Sequence, residues 1–298
     1  MRIAVVDSSL VVLRIIGSML ESHGHTVHEF TESDAALRFL EATPDVRVVI
    51  SSLEVRPLSG LELCWSARIL AEERRPLHII MMSSANCVHT LAEALDSGAD
   101  DFIEKPPKAE ELHARLRAAE RMTRLQEELI RLAETDALTG LLNRRAFRER
   151  AEAAALRAQS GTALSCILVD IDLFKRINDN HGHDVGDTAI RAVGALLGET
   201  GIVGRLGGEE FGIVLPERDL ASALHYAEGL RVRARTLRIA CGDDTCGLTC
   251  SFGVSTWSGP DSVHALLKRA DVALYAAKAG GRNRVVAEAM NSGTAQAV

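Results

Sequence analysis

The chain has 298 residues, 47% hydrophobic and 25% charged, a balance that fits ordinary globular folding and a length that predicts about two domains. Forty-one acidic against thirty-four basic residues give a formal charge of −7, which excludes a broad nucleic-acid-binding surface but not a nucleotide site built from a few local donors. No apolar run approaches the roughly 18 residues of a membrane span, and Met1-Arg2 runs straight into the apolar Ile3-Ala4-Val5-Val6, so neither leader nor membrane association is expected and a cytoplasmic setting is predicted.

Short apolar runs at 2–6, 26–30, 47–51, 78–82 and 101–104 alternate with amphipathic stretches near 10–22, 33–42, 60–72 and 87–97. That alternation predicts a doubly wound, five-stranded parallel α/β sheet over residues 1–120, with its functional edge at the strand C-termini. From 107 to 135 the texture becomes Lys, Glu, Arg, Ala and Leu, with Leu112, Leu116, Ala119, Met122, Leu125, Leu129 and Leu132 at spacings of three and four. This reads as a helical stalk that pairs with a second copy, or as a helix packed on its own domain.

A second domain is expected over 136–287, with a frayed small-residue tail at 288–298. It reads as helix 144–159, strand 163–171, helices near 173–179 and 185–199, and strands 201–206 and 211–215. Helix 219–236, a strand pair ending near Val254, helix 261–278 and a strand near 284–287 complete it, an α+β order with an antiparallel-rich sheet. The cysteines suit reduced cytosolic thiols; Cys241, Cys246 and Cys250 cluster, but without CxxC spacing or a nearby histidine they read as small core or hairpin residues rather than a metal site.

The apolar run Leu164–Val169 leads into Asp170-Ile171-Asp172, and strand alternation puts both aspartates on one side. A carboxylate leaving a strand end suits a hard cation such as Mg²⁺; alone it reads equally well as a capping aspartate. The segments Ile202–Leu206 and Phe211–Leu215 flank Gly207-Gly208-Glu209-Glu210, which predicts a hairpin whose glycines make the turn and let a bulky ligand approach, with two acids at its tip.

Gly207-Gly208-Glu209-Glu210-Phe211 resembles the signature of the GGDEF family, the diguanylate cyclases. Asp136-Ala-Leu-Thr-Gly, Asp170-Ile-Asp-Leu-Phe-Lys175, Gly182-His183-Asp-Val-Gly-Asp187, Ser251-Phe-Gly-Val and Ala270-Asp271 through Asn283 extend the resemblance over 136–286 in the family's order. It implies a cyclase that condenses two GTP molecules into cyclic di-GMP across a homodimer, with two Mg²⁺ or Mn²⁺ ions per site. By matching positions, Asp170, the Ile171 carbonyl and Glu209 hold the metals with Glu210 in support, and Glu209 is the base for the 3′-hydroxyl. Asn178 and Asp187 read guanine, His183 and Gly208 contact substrate, and Lys175, Lys278 and Arg282 bind the triphosphate, Lys175 also offsetting developing charge. Lys278 and Arg282, four apart near a helix end, are expected to face one phosphate group. The alternatives are a silent GTP- or cyclic di-GMP-binding module acting through protein partners, and a scaffold.

Residues 1–120 resemble a response-regulator receiver through Asp7, Ser83, Lys105-Pro106, Gly60 and Gly98. Ser8 stands where receivers carry a second acid, and Ser52, beside Ser51, where the phosphate-accepting aspartate is expected. The resemblance therefore implies a degenerate receiver, deaf to phosphodonors, that serves as a dimerisation platform or docks a protein partner. Gly198-Glu199-Thr200-Gly201 likewise lacks the arginine and aspartate through which many family members bind product, so weak feedback is expected.

Overall fold

Ile3 and Val5 face one side of strand β1 (Arg2–Val6) and Ala4 and Val6 the other, and all four are fully buried, so this strand needs cover on both faces. In the computed structural model, which describes residues 1–288 apart from 72–74, 85–92, 94, 160, 243 and 259–260, the chain divides into two units, Met1–Arg131 and Leu132–Val298.

The first unit covers β1 by a doubly wound sheet of five parallel strands in the order β2-β1-β3-β4-β5. The other strands are β2 (Thr26–Phe30), β3 (Val46–Ser52), β4 (His78–Ser84) and β5 (Asp101–Lys105). Helix α1 (Leu10–Glu21) and the opening turns of α4 (Ala109–Glu134) pack Leu13, Ile16, Leu20, Leu112, Leu116 and Ala119 onto one face. Helices α2 (Ser33–Ala42) and α3 (Gly60–Ala71) pack Ala36, Leu40, Leu63 and Ala67 onto the other. The helix expected near 87–97 lies largely outside the described residues.

Helix α4 runs unbroken for 26 residues, and its apolar stripe divides in two. Leu112, Leu116 and Ala119 are buried in the receiver-like core, whereas Met122, Leu125, Leu129 and Leu132 are 50–65% exposed. The reading of a helix packed on its own domain thus holds for the first half of the stripe, and the second half is left exposed.

The second unit is built on a mixed sheet in the order β12-β11-β6-β8-β7. Its strands are β6 (Leu164–Ile171), β7 (Ile202–Gly207), β8 (Glu210–Pro216), β11 (Cys250–Thr256) and β12 (Val285–Ala287). All pairings are antiparallel except β11 with β12. Every residue of the central β6 is buried. Its Ile167, Val169 and Ile171 join Phe211 and Ile213 beneath α7 (His183–Leu197) and α8 (Leu220–Thr236). Its Leu164, Cys166 and Leu168 face α5 (Arg144–Ala158) and α9 (Val263–Ala279). The short helix α6 (Phe174–His181) follows β6. A Cβ at Gly253 of β11 would come within 2.2 Å of the Ala270 carbonyl oxygen, so the bare glycine lets α9 lie close on the sheet.

One strand expectation needs correction. The pair ending near Val254 is three strands: β9 (Arg238–Cys241) and β10 (Asp244–Gly247) form a separate two-stranded ribbon, and β11 joins the main sheet. Gly242, at φ +69°, turns the chain inside what reads as one polar stretch.

Candidate active site

Strand β6 delivers Asp170 to the end of the sheet at 5% exposure, on the face toward α9. Its antiparallel register sets Asp170 directly opposite Glu210 on one side and Ser251 on the other. The hairpin between β7 and β8 turns on Gly208-Glu209, with Gly207 paired to Glu210. Gly207 at φ +146° and Gly208 at φ +50° take backbone conformations that favour glycine, so the doubled glycine is a requirement of the turn. The turn folds back on β6: the Ile171 N–H donates to the Glu209 carbonyl at 3.4 Å. Two acids nearly forty positions from Asp170 in sequence are thereby its neighbours in space.

The electrostatics follow from that convergence. Burial, then repulsion from Glu209 and Glu210, pushes the Asp170 carboxyl up to about 6 against the pull of Lys278, whose Nζ donates to Asp170 Oδ2 at 2.6 Å. A buried carboxylate flanked by two others and bridged by an ammonium group is short of positive charge. Carboxylates and a strand-end carbonyl are hard oxygen donors, so Asp170, Glu209, Glu210 and the Ile171 carbonyl are of the chemical kind a divalent cation takes, while among the described residues the oxygens of the three acids do not all lie within 4.8 Å of one another.

Asp172, two residues on, has a different task. It accepts from Ser251 Oγ at 2.6 Å, Thr249 Oγ1 at 2.7 Å and the Asn283 N–H at 2.9 Å, at 6% exposure. Those bonds tie the end of β6 to β11 and to the loop after α9, the loop that carries Arg282. That loop corrects one expectation: α9 ends at Ala279, and Arg282 is exposed in a left-handed conformation at φ +63°, so it does not share a helical face with Lys278.

Asn178 on α6 is half-buried, and its Oδ1 has no hydrogen-bond partner among the described residues. The oxygen lies against Gly186 of α7, where a Cβ would meet it at 1.9 Å, and Asp187 is the next residue. Gly186 is therefore the position that admits the Asn178 amide. Lys175, on the first turn of α6, and His183, the first residue of α7, are exposed.

Sequence reasoning missed a brace behind the hairpin. Arg205 of β7 donates from Nε to the Gly208 carbonyl at 2.9 Å and from Nη1 to both carboxylate oxygens of Asp136 at 3.2 Å. Asp136 also takes the Thr139 N–H at 3.0 Å and its hydroxyl at 2.8 Å. Burial works against the charge, but the bonds from Thr139 and Arg205 outweigh it and hold the Asp136 carboxyl below its ordinary range. The only trace of this brace in the sequence is an aspartate three residues before a threonine, the pattern of a side-chain-bonded turn.

In the first unit Asp7, 1% exposed at the end of β1, pairs with Lys105 Nζ at 2.5 Å, and Lys105 also donates to Ser52 Oγ at the end of β3. Ser52 and Ser83 are buried at neighbouring strand ends, whereas Ser8 and Glu54 are exposed.

The architecture is that of a receiver-type α/β unit followed by a nucleotide-cyclase-type α+β unit. Residues 133–284 match the diguanylate cyclase GGDEF domain and residues 3–117 the response regulator receiver domain, and the chain belongs to the GGDEF diguanylate cyclase family. It is 36% identical to the response regulator PleD of Caulobacter vibrioides over 274 residues, covering 87% of this chain and 60% of that protein. Against the diguanylate cyclase DgcM of Escherichia coli K12 it is 41% identical over 172 residues, 55% of this chain and 40% of that one. The chain thus spans less than two thirds of either relative. The solved coiled coil and GGDEF domain of DgcB from Caulobacter crescentus, in complex with c-di-GMP, matches 59% of this chain and 98% of that one at 35% identity and a TM-score of 0.54. Among the described residues no helix is long and apolar enough to cross a membrane.

Proposed function

We propose that this protein is a diguanylate cyclase that joins two GTP molecules into cyclic di-GMP and releases two diphosphates, with catalysis carried by Asp170 and Glu209. The observation that carries the reading is the fold-back of the Gly-Gly hairpin onto the end of β6, which brings Glu209 and Glu210 beside a buried, charge-starved Asp170. Asp170, the Ile171 carbonyl, Glu209 and Glu210 would hold the two Mg²⁺ or Mn²⁺ ions. When bound, these supply charge neutralisation at the phosphates. Glu209 takes the proton from a 3′-hydroxyl as the new oxygen–phosphorus bond forms at the other nucleotide's α-phosphate and the diphosphate leaves. We assign Lys175 and Arg282 to the triphosphate, and Lys278 trades Asp170 for phosphate when GTP arrives.

Guanine selection falls to Asn178 and Asp187, with His183 and Gly208 as further contacts. A carboxylate accepts from both guanine N–H donors, and Asn178 Oδ1, without a partner among the described residues, is a buried acceptor. Adenine presents the wrong pattern and would leave buried groups unpaired at about 1–3 kcal/mol each.

Each such domain holds one GTP, so the reaction needs two copies. The exposed Met122, Leu125, Leu129 and Leu132 on α4 support pairing of the stalk, which raises the effective concentration of one catalytic domain for its twin. The division of labour we assign is a receiver-like domain at 1–120, a stalk at 107–135, a cyclase domain at 136–287 and a tail at 288–298. Ser52 offers neither charge nor nucleophile of the kind a phosphodonor requires, and Lys105 already neutralises Asp7, so the receiver-like half does not respond to aspartyl phosphorylation. Glu199 is engaged by Arg233 at 2.6 and 2.7 Å, which supports weak feedback by product at that stretch.

Incubation of the full chain with GTP and Mg²⁺, with chromatographic resolution of products, tests the reading. Cyclic di-GMP is expected from the wild type and not from Asp170→Asn or Glu209→Gln. GTP binding without product would move the protein to the silent-module class.

A further inference from the structure

Away from the carboxylates, one group of soft ligand atoms converges among the described residues. Across the β9–β10 ribbon the sulfurs of Cys241 and Cys246 are bonded to each other, with Cα atoms 5.9 Å apart. His181, the last residue of α6, brings Nε2 to 3.5 Å from Cys246 Sγ, and the ring nitrogen and both sulfurs lie within 4.8 Å of one another. This corrects the expectation of reduced cysteines with no histidine near: His181 is distant in sequence and arrives through the fold.

The surroundings suit thiol chemistry. His181 is exposed and Cys246 half-buried, so the pair meets solvent, unlike Cys166 and Cys250 in the core. Cys246 and His181 line a cavity of about 500 Å³ whose walls also carry Arg176, Arg235 and Arg238. Among the described residues the acid lining it is Asp172, whose oxygens are taken by Thr249, Ser251 and the Asn283 N–H; Asp244, exposed, is paired opposite Cys241 in the ribbon. Three arginines thus line the cavity that Cys246 opens into, and cationic neighbours favour the thiolate form of a cysteine.

We propose that Cys241 and Cys246 form a reversible dithiol–disulfide site, with His181 taking the proton from Cys246, and that it exchanges with small disulfides of the glutathione class. The Cys246 thiolate attacks one sulfur of the small disulfide, forming a mixed disulfide and releasing one thiol. Cys241 then attacks the Cys246 sulfur, closing the ring and releasing the second thiol. Two electrons and two protons pass from the cysteine pair to the incoming disulfide. The same three atoms would also suit zinc, but the sulfur–sulfur bond and the three guanidinium groups favour exchange chemistry over cation binding. The proposal does not depend on the cyclase reading, and its readout is a thiol count.

The test uses the full chain, reduced, desalted without oxygen and incubated with glutathione disulfide at neutral pH. The sample is then acid-quenched, denatured and alkylated for intact mass. Alkylation of the six cysteines should fall from six adducts to four, with the Cys241–Cys246 linkage found in the peptide digest, and a dithiol reductant should restore six. Cys241→Ser should trap glutathione on Cys246, and His181→Gln should slow thiol loss about tenfold with unchanged circular dichroism. Six adducts persisting at saturating glutathione disulfide would overturn the proposal. So would reduced protein that retains one zinc per chain through dialysis and loses it in Cys241→Ser.

Discussion

Replacing Asp170 by Asn removes a charge that the folded, metal-free protein holds at a loss. Its carboxyl is pushed up to about 6 by burial and by Glu209 and Glu210, despite Lys278. A folded-state value above the ordinary one means that the stabilising contribution is fully present below about pH 4 and is lost as pH rises through about 6. A rise from 3.8 to about 6, at about 1.4 kcal/mol per pH unit, sets a ceiling of about 3 kcal/mol. Asn keeps the shape of the neutral acid without the charge. In EDTA, Asp170→Asn should therefore be more stable than wild type by about 1–3 kcal/mol above about pH 7, with the gap closing below about pH 4. Urea unfolding followed by Trp257 fluorescence, in a Trp65→Phe background, isolates the second unit. Added Mg²⁺ should then stabilise the wild type and leave the variant unmoved, because only the former keeps the ligand. A metal-free variant that is less stable than wild type at neutral pH, or a gap that widens on acidification, would refute the charge argument.

Gly186→Ala places a methyl group 1.9 Å from the present position of Asn178 Oδ1 while improving helix propensity by about 1 kcal/mol. The KM for GTP should rise about tenfold with little change in Tm, separating guanine contact from folding. Arg205→Ala strips the brace from both Asp136 and the Gly208 carbonyl and should cost about 1–3 kcal/mol together with most of the turnover. Arg205→Lys should not restore it, since one ammonium group cannot reproduce the guanidinium fork. Leu125→Lys with Leu129→Lys should shift sedimentation toward monomer and lower the activity per chain at low protein concentration, while leaving the receiver-like core intact. Beryllofluoride with Mg²⁺ should change neither oligomeric state nor rate; a Mg²⁺-dependent rise in activity would count against the inert receiver.

The sequence alone determined most of the succession of helices and strands, because the signals involved are local. Apolar runs of period two alternate with amphipathic stretches in the first half, and the Gly-Gly-Glu-Glu turn sits between two apolar strands. Helix α4 was legible from the three-and-four spacing of its leucines, but not the division of that stripe: Leu116 and Leu125 read alike until the receiver-like core is in place to bury one of them. The candidate metal ligands could be named because their residue types and motif order are specific, whereas their mutual repulsion depends on the register of β6 against β8 and the Lys278 bridge on how α9 lies across the sheet.

What only the tertiary structure decided is the set of partners joined across long stretches of chain. Arg205 meets Asp136 across 69 positions, Asp172 collects donors from Thr249, Ser251 and Asn283, and His181 reaches Cys246 across 65. A side chain's chemistry is written in the sequence, but its partner is set by which strands are neighbours. No local pattern encodes the order β12-β11-β6-β8-β7 that puts these groups within a few ångströms of each other.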